Sequence, residues 1–178
     1  DLSAEDGKAE EESVIRLDPG LAFGTGQHPT TQMCLEILGE RRSRLKGKTL
    51  LDVGCGSGVL SIAAAKAGAQ VVASDLDPHC TSATLENAEL NNVSIKVVEA
   101  AGVAWTKEKF DIVIANLMSD LLISLADELA RVTQSTLIVS GISAERADEV
   151  EAALTAAGLR KTEKRERDGE ERGERIER

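Results

Sequence analysis

The chain has 178 residues, of which 42% are hydrophobic and only 2% aromatic, and its formal net charge at pH 7 is −10. This length suffices for one domain and is too short for two of ordinary size. The chain lacks both the basic stripe of nucleic-acid binders and the aromatic rings on which single strands stack. We therefore expect no direct nucleic-acid binding, whereas the acidic surface favours encounter with a basic protein.

Cysteine usage and hydropathy indicate the cellular compartment. Cys34, Cys55 and Cys80 are an odd number with no zinc-like spacing, so the sequence predicts no metal site. No secretory leader opens the sequence, and no apolar run approaches the roughly 20 residues that a membrane span needs. We expect a cytoplasmic protein that makes no contact with membranes.

Composition divides the chain into three segments. Residues 1–13 are polar and mostly acidic, which predicts a disordered lead-in. Residues 14–164 carry the apolar patterns of a folded domain. Residues 165–178 are almost entirely Arg, Glu, Asp and Gly, which is compatible with a charged edge strand or a solvated tail. We favour the tail.

The domain opens with a possible short strand, Ile15–Leu17, and a loop rich in Gly, Thr and Pro over 18–31. A helix is predicted from about Thr30, because the apolar residues that follow share one helical face. Strand-like runs then alternate with helix-like segments: strands over 49–53, 70–75, 94–99, 110–116 and 136–140, and helices over 59–67, 78–90, 119–132 and 144–157. This alternation predicts an α/β fold with a doubly wound, mostly parallel, Rossmann-like sheet and a ligand at the carboxyl ends of its strands.

The strongest local signal is the glycine-rich turn between the first strand and its helix, which reads Asp-Val-Gly-Cys-Gly-Ser-Gly over residues 52–58. Such a turn can bind a dinucleotide or S-adenosylmethionine, but the dinucleotide fingerprint requires a glycine where this chain has Val59. Asp52 would repel a phosphate, yet it can accept hydrogen bonds from the loop amides or face the cationic amino group of a methionine moiety. The turn therefore favours S-adenosylmethionine, with Asp52, Gly54 and Gly56 as candidate cofactor-binding residues.

Two polar residues end predicted strands. Asp75 ends the second strand, where a carboxylate can accept both hydroxyls of a ribose; the alternative is a helix-capping acid, for which Asp77 is the nearer candidate. Asn116 ends the fourth strand, where an amide can orient the nucleophile or the methionine end of the cofactor, and it is our candidate catalytic residue. An ordinary strand-end asparagine is the alternative. Enzymes that methylate planar nitrogens carry an aromatic residue shortly after this position, and its ring stacks on the flat substrate. Leu117 and Met118 stand here instead, which favours a tetrahedral amine as the methyl acceptor.

The loop over residues 20–31 is a predicted lid, mobile without cofactor and ordered over it when the cofactor binds. A permanently ordered loop is the alternative. His28 is a candidate base, since an amine must lose its proton before it attacks. A lone loop histidine is more often structural, and we favour that interpretation.

Four stretches, residues 17–31, 52–58, 75–78 and 115–117, together closely resemble one family, the bacterial methyltransferases that modify large-subunit ribosomal protein eleven (PrmA family). The resemblance runs from about residue 14 to 159 and implies a class I S-adenosylmethionine-dependent methyltransferase domain over 14–164. It implies that Thr31, Gly54, Asp75 and Asn116 contact S-adenosylmethionine. It also implies that the product is a methylated protein amine, on lysine side chains or an N-terminal amine.

The chain departs from that family in two places. The resemblance leads us to expect a small N-terminal domain that grips the ribosomal protein and a Gly-Glu-Trp-rich last strand, where this sequence has the acidic lead-in and the charged residues 169–175. Two alternatives therefore stay open: a small-molecule N-methyltransferase, and a non-catalytic cofactor-binding domain.

Overall fold

The computed structural model describes residues 14–18, 26–167 and 171–177. Within this part of the chain, seven strands form one sheet: β1 (Thr49–Val53), β2 (Gln70–Asp75), β3 (Ile95–Glu99), β4 (Phe110–Asn116), β5 (Thr133–Ser143), β6 (Arg160–Arg167) and β7 (Glu171–Glu177). The helices are α1 (Pro29–Glu40), α2 (Arg42–Leu45), α3 (Val59–Lys66), α4 (Pro78–Leu90), α5 (Ser119–Ser124), α6 (Ala126–Val132) and α7 (Ala147–Ala156), the last preceded by a 3₁₀ turn, Ala144–Arg146.

The sheet has the order β3-β2-β1-β4-β5-β7-β6, in which β1 to β5 are parallel. Successive strand residues point to opposite faces, so Leu50 packs with α1 and α3 while Leu51 packs with α5, α6 and α7. Both faces are therefore covered by helices, and the predicted doubly wound α/β fold is confirmed. In the part of the chain that the structure describes, no helix combines the length and the apolar character needed to cross a membrane.

The favoured prediction of a solvated tail over 165–178 is wrong for the residues that the structure describes there. β7 runs antiparallel between β5 and β6 and forms ladder hydrogen bonds with both. Gly173 and Ile176 are buried, and Ile176 joins the hydrophobic core. A β-carbon on Gly173 would lie 3.3 Å from the β-carbon of Met33 in α1, so glycine lets this helix approach the strand. One buried apolar side chain among charged neighbours was too weak a pattern to predict a strand.

The possible strand over Ile15–Leu17 is not formed, since residues 14–18 belong to no sheet. Instead they lie against α4, with hydrogen bonds from Arg16 and Asp18 to side chains of that helix, and Ile15 and Leu17 pack against the core. The lead-in over 1–13 lies outside the described residues. The helix predicted over 119–132 is divided at Leu125 into α5 and α6.

Candidate functional site

The site lies where β1, β2 and β4 end together. The register pairs Val53 of β1 with Ser74 of β2 and with Ala115 of β4. The next position on each strand is therefore a candidate residue: Gly54 directly follows β1, and Asp75 and Asn116 end β2 and β4. The parallel topology brings these three to one edge of the sheet, at the switch point where α/β proteins bind ligands.

The glycine loop turns back over the end of β2. The amides of Gly54 and Cys55 both donate to the carbonyl oxygen of Ser74, at 2.8 and 3.1 Å. Gly54, Gly56 and Gly58 have φ angles of 75°, 54° and 81°, in the left-handed region that other residues rarely adopt. A β-carbon on Gly54 would lie 2.5 Å from Cδ2 of Leu117. The backbone conformation of the loop therefore favours glycine at all three positions, and Gly54 also packs against the side chain of Leu117.

Asp75 connects two loops through their backbone amides. Its Oδ2 accepts from the amide of Gly56 at 3.0 Å, and its Oδ1 accepts from the amide of Asp77 at 3.0 Å. Asp77 caps α4 by accepting from the amide of His79 at 2.8 Å, with Pro78 in the first turn, as predicted. The half-buried Asp75 carboxylate is thus tied to the glycine loop, and its contact with a ribose stays a prediction.

Asp52 lies beneath the glycine loop and is only 1% exposed. It accepts from the hydroxyl of Ser61 at 2.6 Å, so its contact is with α3. Burial raises the pKa of the Asp52 carboxyl to about 6; hydrogen bonds from Ser61 lower this pKa and the charge of Asp75 raises it. The expected contact was with loop amides or a cofactor amino group, whereas the structure uses Asp52 to hold the helix that follows the loop.

Asn116 is paired with Thr31, a residue that only the resemblance had indicated as a contact of S-adenosylmethionine. Nδ2 of Asn116 donates to Oγ1 of Thr31 at 3.2 Å, and Thr31 is buried in α1. Across from this pair, β5 has an irregular register beside Gly141, whose φ is 83°. A β-carbon on Gly141 would lie 2.4 Å from the carbonyl oxygen of Leu117 and 3.3 Å from Oδ1 of Asn116. The carbonyl group of Leu117 therefore lies against Gly141, where a side chain would otherwise be, and Oδ1 of Asn116 lies close to the same position.

His28 serves as the N-cap of α1. Its Nδ1 accepts from the amide of Thr30 at 3.4 Å and lies 2.7 Å from the hydroxyl of that residue. This contact supports the structural interpretation of His28. The helix begins at Pro29, one residue before the predicted start at about Thr30, so Thr30 and Thr31 are helical and buried, and the loop ends at His28. Residues 20–25 of the predicted lid lie outside the described residues.

Sequence reasoning missed four buried polar residues that hold the loops in place, Ser61, Thr84, Asn87 and Asn91, and also Gly141 at the irregularity in β5. The hydroxyl of Thr84 donates to the carbonyl oxygen of Gly56 at 3.1 Å. The four polar residues lie in helices, and most of their partners are distant in sequence. Only Gly141, a glycine directly after a strand-like run, carried a local signal of unusual backbone.

Comparison with known proteins places this geometry among methyltransferases. A family model described as "Ribosomal protein L11 methyltransferase (PrmA)" matches residues 2–170. The chain is 41% identical over 163 residues to the ribosomal protein L11 methyltransferase of Desulfitobacterium hafniense, covering 89% of this chain and 52% of the relative. It is 46% identical over 149 residues to that of Methylococcus capsulatus, covering 82% and 50%. The chain thus spans about half the length of the curated relatives it matches.

Solved structures agree with this result. The crystal structure of a ribosomal protein L11 methylase from Lactobacillus delbrueckii subsp. bulgaricus matches with a TM-score of 0.82 at 39% identity, covering 92% of this chain and 84% of the other. Magnesium protoporphyrin IX methyltransferase from Synechocystis, crystallised with bound S-adenosylmethionine, matches with a TM-score of 0.71 at 19% identity, covering 96% and 91%. The second likeness concerns the fold alone.

Proposed function

Because the chain belongs to the ribosomal protein L11 methyltransferase (PrmA) family, we propose that it transfers a methyl group from S-adenosylmethionine to an amino group of a basic ribosomal protein. The acceptor is a lysine side chain or an N-terminal amine. The observation that carries the proposal is the convergence of the glycine loop, Asp75 and the Thr31–Asn116 pair at one edge of the sheet. The net charge of −10 supports a basic partner. We infer that the protein acts in the cytoplasm without binding nucleic acid directly.

The residues at the strand ends suit S-adenosylmethionine. In our proposal Asp75 binds the ribose hydroxyls, the backbone of Gly54 and Gly56 approaches the cofactor closely, and Thr31 and Asn116 lie at its methionine end. The positive φ angles of Gly54 and Gly56 support this assignment, because glycine gives this turn its conformation and leaves its backbone free of side chains. When bound, the cofactor supplies a methyl group on a positively charged sulfur, which leaves as a neutral thioether.

The chain's own contribution is alignment. Since Nδ2 of Asn116 donates to Thr31, its Oδ1 is left to accept from the N–H of an amine. The carbonyl oxygen of Leu117 offers a second acceptor on the same side. Holding the amine in line with the methyl group lowers the barrier without covalent help from the protein. We assign no general base, because a lysine with a lowered pKa loses its proton to bulk water.

Methyl transfer is tested by incubating the protein with isotope-labelled S-adenosylmethionine and purified ribosomal proteins, followed by mass spectrometry. We expect label on amines of one large-subunit protein. Label on small molecules alone would support the small-molecule N-methyltransferase instead. Tight S-adenosylhomocysteine binding with no transfer to any acceptor would indicate a non-catalytic binding domain, and calorimetry showing NAD binding alone would contradict the assignment altogether.

The role of Asp75 is tested with a matched neighbour. Asp75→Ala should raise the Kd for S-adenosylhomocysteine about ten- to a hundredfold, because hydrogen bonds to a charged group are worth about 1.5–3 kcal/mol. Asp77→Ala removes an equal charge two residues away, but it breaks only the cap of α4 and should leave the Kd within about twofold. Equal changes in the two variants would show that Asp75 does not hold the ribose.

A further inference from the structure

One face of α4 carries buried polar side chains where an α/β protein normally places apolar ones. Thr84, Asn87 and Asn91 are 0%, 2% and 6% exposed. They are spaced three and four residues apart, so they lie along one helical face. Burying an amide side chain is unfavourable unless its donors and acceptors are satisfied. The partners of these residues therefore explain why the face is polar.

Asn87 bonds to two separate pieces of backbone with the two ends of one amide. Its Oδ1 accepts from the amide of Asp18 at 2.8 Å. Its Nδ2 donates to the carbonyl oxygen of Ser57, in the glycine loop, at 2.9 Å. A single planar group thus joins the segment of residues 14–18 to the candidate cofactor loop.

Asn91, one turn further along α4, provides a contrast. Its Oδ1 accepts from the amide of Arg16 at 2.9 Å, and its Nδ2 donates to the carbonyl oxygens of Arg16 and Asn87 at 2.5 and 2.7 Å. It therefore anchors the same extended segment but bonds only to that segment and to its own helix. The two asparagines share residue type, helix and burial, and they differ in the contact with the glycine loop.

We propose that Asn87 is a positioning residue that couples the segment of residues 14–18 to the glycine loop, so that ordering either one favours the other. The two hydrogen bonds of one amide polarise each other in a buried environment. A cofactor that fixes the backbone at Ser57 fixes Nδ2 of Asn87, and with it the Oδ1 that holds Asp18. This inference rests on the proposed binding of S-adenosylmethionine.

The experiment compares Asn87→Leu with Asn91→Leu in the full chain, using S-adenosylhomocysteine as the probe. In the unsubstituted protein, we expect the ligand to slow hydrogen exchange in the peptide that covers residues 14–18. Asn87→Leu should abolish this slowing and raise the Kd measured by calorimetry about tenfold, since one buried hydrogen bond to the loop is lost. Asn91→Leu should speed exchange with and without ligand, retain the ligand-induced slowing, and change the Kd less than about twofold.

A second substitution keeps the proposal testable if Asn87→Leu does not fold. Asn87→Asp retains an acceptor for the amide of Asp18 but places a carboxylate oxygen against the carbonyl oxygen of Ser57, so it should weaken binding while leaving the segment attached. Equal Kd changes in the Asn87 and Asn91 variants would overturn the coupling, as would ligand-induced slowing that persists in Asn87→Leu. If the unsubstituted protein does not bind S-adenosylhomocysteine, the proposed function itself is wrong. This result is distinguishable from the two outcomes that would overturn the coupling alone.

Discussion

The buried carboxyl of Asp52 makes the stability of this fold depend on pH in a predictable direction. Burial raises its pKa to about 6 in the folded chain, against an ordinary value of 3.8. A group with a raised folded-state pKa stabilises the fold while it is protonated. That stabilisation is complete below about pH 4 and is lost as the pH rises through about 6. At neutral pH the ionised Asp52 therefore opposes folding of the cofactor-free protein.

The magnitude follows from the two pKa values. The difference between about 6 and 3.8 corresponds to about 3 kcal/mol of unfolding free energy. About 2 kcal/mol of this stabilisation is lost as the pH rises from about 4.5 to 7.5, and the rest is lost at lower pH. Asp52 is 1% exposed, so solvent screening reduces the effect little. Asp52→Asn keeps an oxygen that accepts from Ser61 but removes the charge.

The assay is urea unfolding of both proteins across that pH range, with the free energy extrapolated to water. Comparing the two proteins cancels the titration of the other carboxylates. As the pH rises across this range, we expect the unfolding free energy of Asp52→Asn to increase by about 2 kcal/mol relative to that of the unsubstituted protein. Most of this change should occur below about pH 6. A difference between the two proteins that stays constant with pH would refute the argument, because it would mean that Asp52 titrates at its ordinary pKa.

Three further predictions test other parts of the structure. Gly141→Ala should cost about 1–3 kcal/mol of stability and lower methyl transfer, because its β-carbon would lie 2.4 Å from the carbonyl oxygen of Leu117; unchanged melting and activity would contradict this. Iodoacetamide should modify Cys80 before the two other cysteines, whose burial raises their pKa to about 12, and peptide mass spectrometry that finds equal rates would refute it. Ile176→Ala should cost about 2–5 kcal/mol in urea unfolding, since its side chain is 2% exposed; a value near zero would restore the solvated tail.

The parallel part of the sheet was predictable because each of its strands carries its own signal. Short apolar runs such as Phe110–Asn116 are bounded by polar or glycine-containing turns, and burial on both faces makes the runs continuous. The antiparallel pair β6 and β7 has no such signal. Ile176 is the apolar side chain that β7 contributes to the core, so the strand depends on pairing with β5. Pairing between segments distant in sequence is not visible in local composition.

The same distinction applies to the candidate site. Gly54, Asp75 and Asn116 could be placed together from sequence, because each ends a strand or directly follows one, and parallel strands end at one edge. The hydrogen bonds that hold the loops around the site could not be predicted in this way. Asp52 was expected to face the loop amides or the cofactor, yet it bonds to Ser61 of α3. Asn87 had no expected role, because its partner Asp18 lies 69 positions away and is brought close only by the folded chain.

Within the proposed function, the pairing of Asn116 with Thr31 decides which atom of that amide is available to the methyl acceptor, and this bears on the class of nucleophile. With Nδ2 donating to Thr31, both polar atoms directed at Gly141 are oxygens, Oδ1 of Asn116 and the carbonyl oxygen of Leu117. Two acceptor oxygens repel a deprotonated hydroxyl or carboxylate, but each can accept an N–H from an amine. A primary amine keeps two N–H groups, and a singly methylated amine keeps one, while the lone pair points at the methyl group. The orientation of one side-chain amide therefore supports nitrogen over oxygen as the methylated atom.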